Sequence, residues 1–299
     1  MENVKSLLKK TSHKRPHTAI FLSGSGSNAE QVLTMLSQMP DSPVEMKALV
    51  TDAPETSRAK ELGKKFSIPV IASDIRKFYS DHGEARVSLA TPKGQELRHA
   101  WTDGLRKKLK PMELDFAIFA GFVPLTNLTN DFPCLNVHPG DLTYKVRGQR
   151  VLVGLHTLPI ERAILSGLKT LRSSVIIAQT YTGQGGEMDS GPVLGISGEV
   201  HIDFKGFDVA SLMEDQRRRP RIRPKGGFAD NLELVAKANQ EILKEKGDWV
   251  VLPKVVLDYA EGRFGLDEEG GLYYRIGEKW TRVETVVYNA NGQKQPIYL

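Results

Sequence analysis

The sequence predicts an α/β protein with a Rossmann-like, open and mainly parallel sheet. Short apolar stretches at residues 17–22, 44–51 and 68–71 alternate with stretches of helical periodicity. This β-α-β-α-β order is typical of parallel strands joined by right-handed crossovers. In such sheets ligands bind beyond the carboxyl ends of the strands, so we expect the functional residues there.

The composition is that of a globular protein. Of the 299 residues, 40% are hydrophobic and 26% are charged, with a formal net charge of +5. No apolar run approaches the roughly 20 residues of a membrane span, and residues 1–15 lack the apolar core of a signal peptide. We therefore expect a cytoplasmic protein with no membrane partner. The single cysteine, Cys134, excludes an internal disulfide and is expected to be buried.

Much of the positive charge lies in residues 217–225 (RRRPRIRPK). Either a solvated loop or contact with a phosphate-rich ligand would explain such a run. The sequence has no zinc-ligand spacing, no single-strand-binding aromatic pattern and no recognisable recognition helix. We expect small-molecule substrates, no nucleic acid, no metal, and a monomer or homodimer.

The first strand, 17–22, runs into a glycine-rich turn, 23–28 (SGSGSN), and then into a helix. Unpaired N–H groups and the helix dipole make this junction an anion site. The pattern Gly24-x-Gly26-x-x-Ala29, with Asp52 ending the next strand, also approximates a dinucleotide fingerprint. A nicotinamide-dependent enzyme is therefore an alternative prediction.

The middle of the chain supplies further elements. Residues 74–93 are polar and are predicted to be an irregular insertion. Residues 93–110 form an amphipathic helix with Trp101 on its apolar face, which we expect in the core. An apolar strand, 115–123, follows.

The strongest functional signal is residues 135–141 (LNVHPGD). A strand here presents Asn136 and His138 on one face, because alternate residues of a strand point the same way. An amide donor and an imidazole suit acyl-type transfer to an amine. A carboxylate, Asp189 in the run MDSGP, could fix the imidazole tautomer or hold a water. Alternatively, the run is a strand-to-turn junction, and Asp141 is either a partner of His138 or a cap of the turn.

The pair of motifs NVHP and DSGP, in this order, resembles the folate-dependent formyltransferases. The resemblance implies that Asn136, His138 and Asp189 are catalytic and that 10-formyltetrahydrofolate is the cosubstrate. It also implies that the turn after the first strand binds the phosphate of a ribonucleotide acceptor, through Gly24, Ser25, Gly26, Ser27 and Asn28. The acceptor implied is a primary amine, with 5'-phosphoribosylglycinamide, an intermediate of purine synthesis, as the best guess.

The same resemblance implies where the folate lies. Phe122, Val123 and Leu125 would line the pterin pocket, although Pro124 removes one backbone donor. A glycine-rich loop containing Gly185, Gly186 and Glu187 would face the folate and deliver Asp189. The turn 140–144 (GDLTY) departs from the family pattern.

The C-terminal part carries one more candidate. Residues 201–228 read as an inserted loop, 231–246 as a helix and 247–263 as a final helix. Asp248 is a candidate for gripping the acceptor's ammonium group, or it caps a helix; Trp249 replaces the family's histidine beside it.

The predicted organisation is a polar N-terminal arm, a catalytic domain and a tail. The arm covers residues 1–16 and has weak helical character. The catalytic domain covers 17–265, with insertions near 74–93 and 203–228. Residues 266–299 form a hairpin tail.

Several functions share these motifs. A formyltransferase acting on an amino sugar or another phosphorylated amine would share the catalytic residues. A formyltetrahydrofolate hydrolase would use water as acceptor and would not need the phosphate loop. A catalytically silent folate- or nucleotide-binding protein would bind ligands without turnover.

Overall fold

A computed structural model describes residues 3–9, 12–181, 187–224 and 226–299. The helices are α1 (Ser27–Ser37), α2 (Ala59–Phe66), α3 (Ile75–Asp81), α4 (Pro92–Leu109), α5 (Leu158–Leu165), α6 (Val209–Arg218), α7 (Asn231–Leu243) and α8 (Trp249–Ala260), with a π-helical turn, Lys244–Asp248, between the last two. None of the helices in these ranges is long and apolar enough to cross a membrane.

The strands are β1 (Lys5–Ser6), β2 (His17–Phe21), β3 (Glu45–Thr51), β4 (Val70–Ala72), β5 (Phe116–Phe119), β6 (Cys134–His138), β7 (Lys145–Val146), β8 (Gln149–Arg150), β9 (Thr170–Leu171), β10 (Ser174–Ile177), β11 (Val193–Ser197), β12 (Val200–His201), β13 (Phe264–Leu266), β14 (Leu272–Ile276), β15 (Lys279–Tyr288) and β16 (Lys294–Tyr298).

Most of the strands form one 12-stranded sheet. Its order is β1-β13-β14-β15-β11-β10-β6-β5-β2-β3-β4, and β16 pairs with β15. Five neighbouring strands, in the spatial order β4, β3, β2, β5 and β6, are all parallel to one another. Beyond them β10 runs antiparallel to β6, β11 is parallel to β15, and β15 and β16 pair antiparallel. The predicted Rossmann-like fold with a C-terminal hairpin is therefore confirmed.

Helices cover both faces of the parallel strands. On β2, Ile20 faces the layer of α1, α2 and α8, whereas Phe21 faces the layer of α3 and α4, because side chains alternate along a strand. Strands buried on both faces read as continuous apolar runs, which is why they were visible in the sequence. Trp101 and Cys134 are buried in the α4 layer, as predicted.

A third group of helices stands beside the sheet. Helices α5, α6 and α7 share an apolar cluster with β9 and β12, in which Ile160, Leu212 and Leu232 are fully buried. This group forms one side of the cleft described below.

Two predictions of irregular structure were wrong. Residues 75–81, expected to be irregular, form α3, capped by Asp74, which accepts a hydrogen bond from the Lys77 N–H at 2.9 Å. The expected loop 201–228 contains α6, capped in the same way by Asp208. Each helix buries only one or two residues, too few for a helical period to stand out in the sequence.

The N-terminal arm also differs from its predicted helical character. Lys5–Ser6 pairs with β13, and the Leu7 N–H donates to the Phe264 carbonyl at 2.9 Å. The arm therefore extends the edge of the sheet. The boundary predicted at residue 265 falls within β13 of the same continuous sheet.

Candidate functional site

A cleft of about 1160 Å³ opens at the carboxyl ends of β2, β5 and β6. The loops after these strands form its floor, with residues 24–28, 119–125 and 136–139. The helices α5 and α7 and the segment after α6 form the remaining wall. This is the edge at which the sequence placed the functional residues, because parallel strands end together.

His138 is held at the floor of the cleft by a hydrogen bond from its Nε2. The ring is buried, with 3% of the residue exposed, and Nε2 lies 2.7 Å from the Leu152 carbonyl oxygen. A carbonyl only accepts, so Nε2 carries the proton and donates. In the neutral ring Nδ1 is then unprotonated, and it lies 3.7 Å from Asp189 Oδ1.

Asp189 comes from a separate segment, the 3₁₀ turn Glu187–Ser190. Its Oδ2 accepts a hydrogen bond from the Gly154 N–H at 3.3 Å, and Arg150 donates to its carbonyl oxygen and to that of Gly191. Arg150 therefore fixes the turn that presents the carboxylate. The sequence motifs predicted that His138 and Asp189 act together, but they did not indicate a role for Arg150.

Two opposing effects act on the pKa of His138. Burial lowers the pKa of His138, and the carboxylate of Asp189 opposes that effect. The ring is thus neutral at neutral pH, with Nδ1 available as a base. A separation of 3.7 Å is too long for a direct hydrogen bond, so Asp189 acts on the ring through its charge.

Asn136 lies two residues before His138 and also lines the cleft. It is half-buried, and its side chain makes no hydrogen bond to the described part of the chain. Its amide is therefore free to donate to a ligand.

The glycine-rich turn is shaped for the start of α1. Gly26 has φ +63°, and a Cβ there would lie 2.8 Å from Leu62 and 2.9 Å from Leu22. Only glycine fits both the left-handed backbone and the close packing. All five predicted phosphate-binding residues line the cleft: Gly24, Ser25, Gly26, Ser27 and Asn28.

Asp248 lies beneath this turn. Its Oδ2 accepts from Asn28 Nδ2 at 3.0 Å, and its Oδ1 accepts from Ser173 Oγ at 2.5 Å. Burial raises its pKa to about 6. The side chain caps no helix, so the alternative of a helix cap does not hold, and its position is next to the predicted phosphate site.

The residues predicted to face the folate lie along another part of the cleft. Phe122 packs edge-on against Phe21, while Val123 is 49% exposed. Two backbone groups here are already engaged: the Val123 N–H donates to Ser23 Oγ at 2.9 Å, and the Leu125 carbonyl accepts from Arg98 at 2.8 Å.

Only part of the predicted glycine-rich loop lies among the described residues. Gly185 and Gly186 lie outside the described residues, and Glu187 begins the 3₁₀ turn that carries Asp189. Met188 and Tyr181, on either side of the loop, line the cleft.

Asp141, the carboxylate added in the divergent turn, caps that turn. Its Oδ1 accepts from the N–H of Thr143 at 2.9 Å, and Arg172 Nε lies 3.8 Å from its Oδ2. Thus the turn-cap alternative holds for Asp141. No group of three or more His, Cys, Asp or Glu side chains among the described residues could hold a metal ion.

For the basic segment 217–225, the sequence left open whether it is a solvated loop or contacts a ligand. Arg219, Arg221 and Arg223 line the cleft, together with Arg162 from α5. Sequence reasoning did not single out Arg162 or the Leu152 carbonyl. A main-chain carbonyl has no residue signature, so only the folded chain could reveal the latter.

No protein-family model matches the chain. No curated protein matches its sequence either. The likeness is to solved structures, at the level of the fold.

Three such structures cover most of the chain. The phosphoribosylglycinamide formyltransferase of Coxiella burnetii has a TM-score of 0.58 and 15% identity, over 92% of this chain and 100% of that one. The enzyme of the same name from Anaplasma phagocytophilum has a TM-score of 0.57 and 17% identity, over 92% and 99%. Glycinamide ribonucleotide transformylase 1 from Symbiobacterium toebii has a TM-score of 0.57 and 17% identity, over 88% and 97%. The chain therefore has, in a divergent form, the fold of the folate-dependent formyltransferases.

Proposed function

We propose that this protein transfers a formyl group from 10-formyltetrahydrofolate to the primary amine of a phosphorylated acceptor. The observation that carries the proposal is the convergence of Asn136, His138 and Asp189 on one cleft with the glycine-rich turn 24–28. The best guess for the acceptor is 5'-phosphoribosylglycinamide.

Asn136 supplies the hydrogen-bond donor. As the acceptor's amine attacks, negative charge grows on the formyl oxygen, and the free amide of Asn136 donates to it. A donor placed in this way typically contributes about 2.7–4 kcal/mol to transition-state stabilisation.

His138 and Asp189 handle the proton. The amine must lose a proton to complete the transfer, and the unprotonated Nδ1 of His138 can take it, directly or through a water held by Asp189. The bond between the formyl carbon and N10 of the folate then breaks, and His138 returns the proton to N10 so that tetrahydrofolate leaves. The imidazolium formed between these two steps would have an acceptor beside each nitrogen, the Leu152 carbonyl at 2.7 Å and the Asp189 carboxylate at 3.7 Å. Burial of the ring makes this electrostatic support stronger than it would be in water.

The size of the cleft fits two ligands. Pockets for one small molecule usually measure about 300–1000 Å³, and this one measures about 1160 Å³. We assign the turn 24–28 and Asp248 to the acceptor, and residues 119–125 and Tyr181, which supply apolar side chains, to the pterin.

The alternative of a nicotinamide-dependent enzyme depends on Asp52 as the acidic residue that binds the ribose. Asp52 would have to reach a ribose hydroxyl, yet it does not line the cleft, and Ser23 Oγ donates to its Oδ1 at 2.5 Å. Desolvation by burial raises the pKa of Asp52, which fits a carboxyl used inside the fold.

The test is an assay with 10-formyltetrahydrofolate against a panel of phosphorylated amines and amino sugars, following the folate by absorbance. We expect turnover with 5'-phosphoribosylglycinamide and none with its unphosphorylated form. Folate deformylation without any acceptor would favour the hydrolase, and stabilisation by a nicotinamide dinucleotide alone would favour the dehydrogenase. Turnover of a different amine only would keep the reaction and replace the acceptor.

A further inference from the structure

One wall of the cleft is cationic, and we define this wall as Arg162 from α5 and Arg219, Arg221 and Arg223 from the segment after α6. All four residues line the cleft. Three of them belong to the segment after α6, which the sequence predicted to be an insertion. The question is which of its charges are already neutralised inside the protein.

Arg219 is an anchor of the wall. Its guanidinium lies 2.5 Å from Glu161 and 2.6 Å from Asp230, and its side chain is 6% exposed. It also stacks over Phe228 with the guanidinium carbon 4.2 Å from the ring centroid. With two carboxylates and an aromatic ring around it, Arg219 fixes the path of the insertion and offers no charge to a ligand.

Arg223 is committed in the same way. It forms an ion pair with the buried carboxylate of Glu233, and its guanidinium lies over the ring of Phe228 at 5.3 Å. The cleft-lining carboxylate of Glu241 is likewise paired, with Lys244. The charges within these pairs compensate each other. Any uncompensated positive charge of the wall must therefore come from Arg162 and Arg221.

Arg162 and Arg221 have no acidic partner among the described residues. Arg162 donates through Nη1 to the carbonyls of Val151 and Val153, at 3.2 and 2.7 Å, which hold the side chain in place without neutralising it. Arg221 is exposed and forms no ion pair with the described part of the chain. Two uncompensated guanidinium groups therefore line the same cleft.

The wall lines the same cleft as the glycine-rich turn. Gln240 and Lys244, on α7 and the π-helical turn that follows it, also line this cleft, as does Asp248, whose carboxylate holds Asn28 of the glycine-rich turn. One ligand in the cleft can therefore meet both residues 24–28 and the wall. A guanidinium recognises phosphate or diphosphate by paired hydrogen bonds.

We propose that the acceptor carries a second anionic group, a phosphate or diphosphate, and that Arg221, supported by Arg162, selects for it. This inference rests on the proposed function and refines its acceptor. 5'-Phosphoribosylglycinamide carries a single phosphate, so a phosphorylated amine with a second anionic group should be the better acceptor. Carboxylates of a polyglutamyl folate tail share the same chemistry, and the test separates them from the acceptor.

The test measures binding, so it does not depend on turnover. Inorganic pyrophosphate and orthophosphate are titrated at constant ionic strength into the wild type, Arg221→Gln and Arg218→Gln. Arg218 is the matched control because it lies in the same insertion, is 74% exposed at its side chain and pairs with Glu214 outside the cleft.

We expect pyrophosphate to bind the wild type more tightly than orthophosphate. Arg221→Gln should weaken pyrophosphate about tenfold, the effect of losing a charge-assisted hydrogen bond. Arg221→Lys should restore part of it, and Arg218→Gln should match the wild type. Equal pyrophosphate affinity in wild type and Arg221→Gln, or no binding to the wild type, would overturn the inference.

Folate-side binding is the second arm. Mono- and polyglutamyl forms of a reduced-folate analogue should bind Arg221→Gln as they bind the wild type. A loss confined to the polyglutamyl form would assign Arg221 to the folate and overturn the acceptor proposal. Failure of the formyl-transfer assay with intact pyrophosphate discrimination would instead remove the proposed function and leave the anion site.

Discussion

Asn28 and Asp248 lie 220 positions apart in the chain and are joined by a hydrogen bond of 3.0 Å from Nδ2 to Oδ2. One residue belongs to the turn that is the candidate phosphate site, and the other is a buried carboxyl whose pKa is raised to about 6 by burial. The Oδ1 of Asn28 is buried without a partner in the described structure. The glycine-rich turn is therefore held by a buried carboxyl whose protonation changes near pH 6.

This pair makes stability depend on pH. Because the pKa of Asp248 rises from 3.8 to about 6 on folding, the folded protein binds its proton more tightly than the unfolded chain. Stability from this group is therefore present below about pH 4 and is lost as the pH rises through about 6. The loss is on the order of 3 kcal/mol, at 1.36 kcal/mol per pKa unit.

Asp248→Asn should remove that loss. The difference in free energy of unfolding between variant and wild type should shift in favour of the variant between pH 4 and pH 7. Denaturant unfolding of the variant and the wild type at four pH values measures it. A pH-independent difference for Asp248→Asn would contradict the raised pKa.

The sequence could predict the position of a site residue only where that position follows from the order of the strands. Asn136, His138 and the turn 24–28 each end a strand that is apolar on both faces, so their meeting at one edge follows from the parallel order. The position of the basic insertion does not, because it depends on Arg219 reaching Glu161, 58 positions away. That pairing has no local pattern.

The contacts that position the candidate catalytic residues could not be predicted from the sequence either. The tautomer of His138 is set by the Leu152 carbonyl, and the presentation of Asp189 is set by Arg150 and the Gly154 N–H. These are contacts to the main chain, or from it, in a segment that the sequence left without an assignment. Residue identity could name the three reactive side chains but could not describe what holds them.

The three candidate catalytic residues can be tested by substitution. Asn136→Ala, His138→Ala and Asp189→Asn should each lower turnover about 100-fold or more, because each removes a group that acts on developing charge or on the proton. Steady-state kinetics with circular dichroism as a folding check measures this. Asp141→Asn is the control, because it alters the turn cap and the ion pair with Arg172 but none of the three candidate catalytic side chains. Near-wild-type turnover in any two of the three would refute the mechanism.

The pH profile separates the roles of His138 and Asp189. Burial lowers the pKa of His138, so the acidic limb of the kcat/KM profile should lie below the usual histidine value of about 6.5. Asp189→Asn removes the carboxylate that opposes this effect, and the limb should move to still lower pH. An unchanged or higher limb in Asp189→Asn would mean that the limb does not report His138.

Gly191 tests whether the turn that presents Asp189 must lie so close to β10. A Cβ at Gly191 would lie 1.9 Å from the Ile177 carbonyl oxygen and 2.6 Å from Gln179 Nε2. Gly191→Ala must therefore push the turn away from the strand. Overpacking of this kind costs about 1–3 kcal/mol, and a shift near 1 Å in a catalytic group costs about 100-fold in rate.

Gly104 provides the matched control. It lies within α4, and a Cβ there would meet nothing within 4 Å. Gly104→Ala should keep turnover and stabilise the helix by up to about 1 kcal/mol. Thermal melts and turnover measured well below the melting temperature separate lost stability from a displaced Asp189. If Gly191→Ala keeps both the melting temperature and the turnover of the wild type, the close approach to β10 does not position the carboxylate.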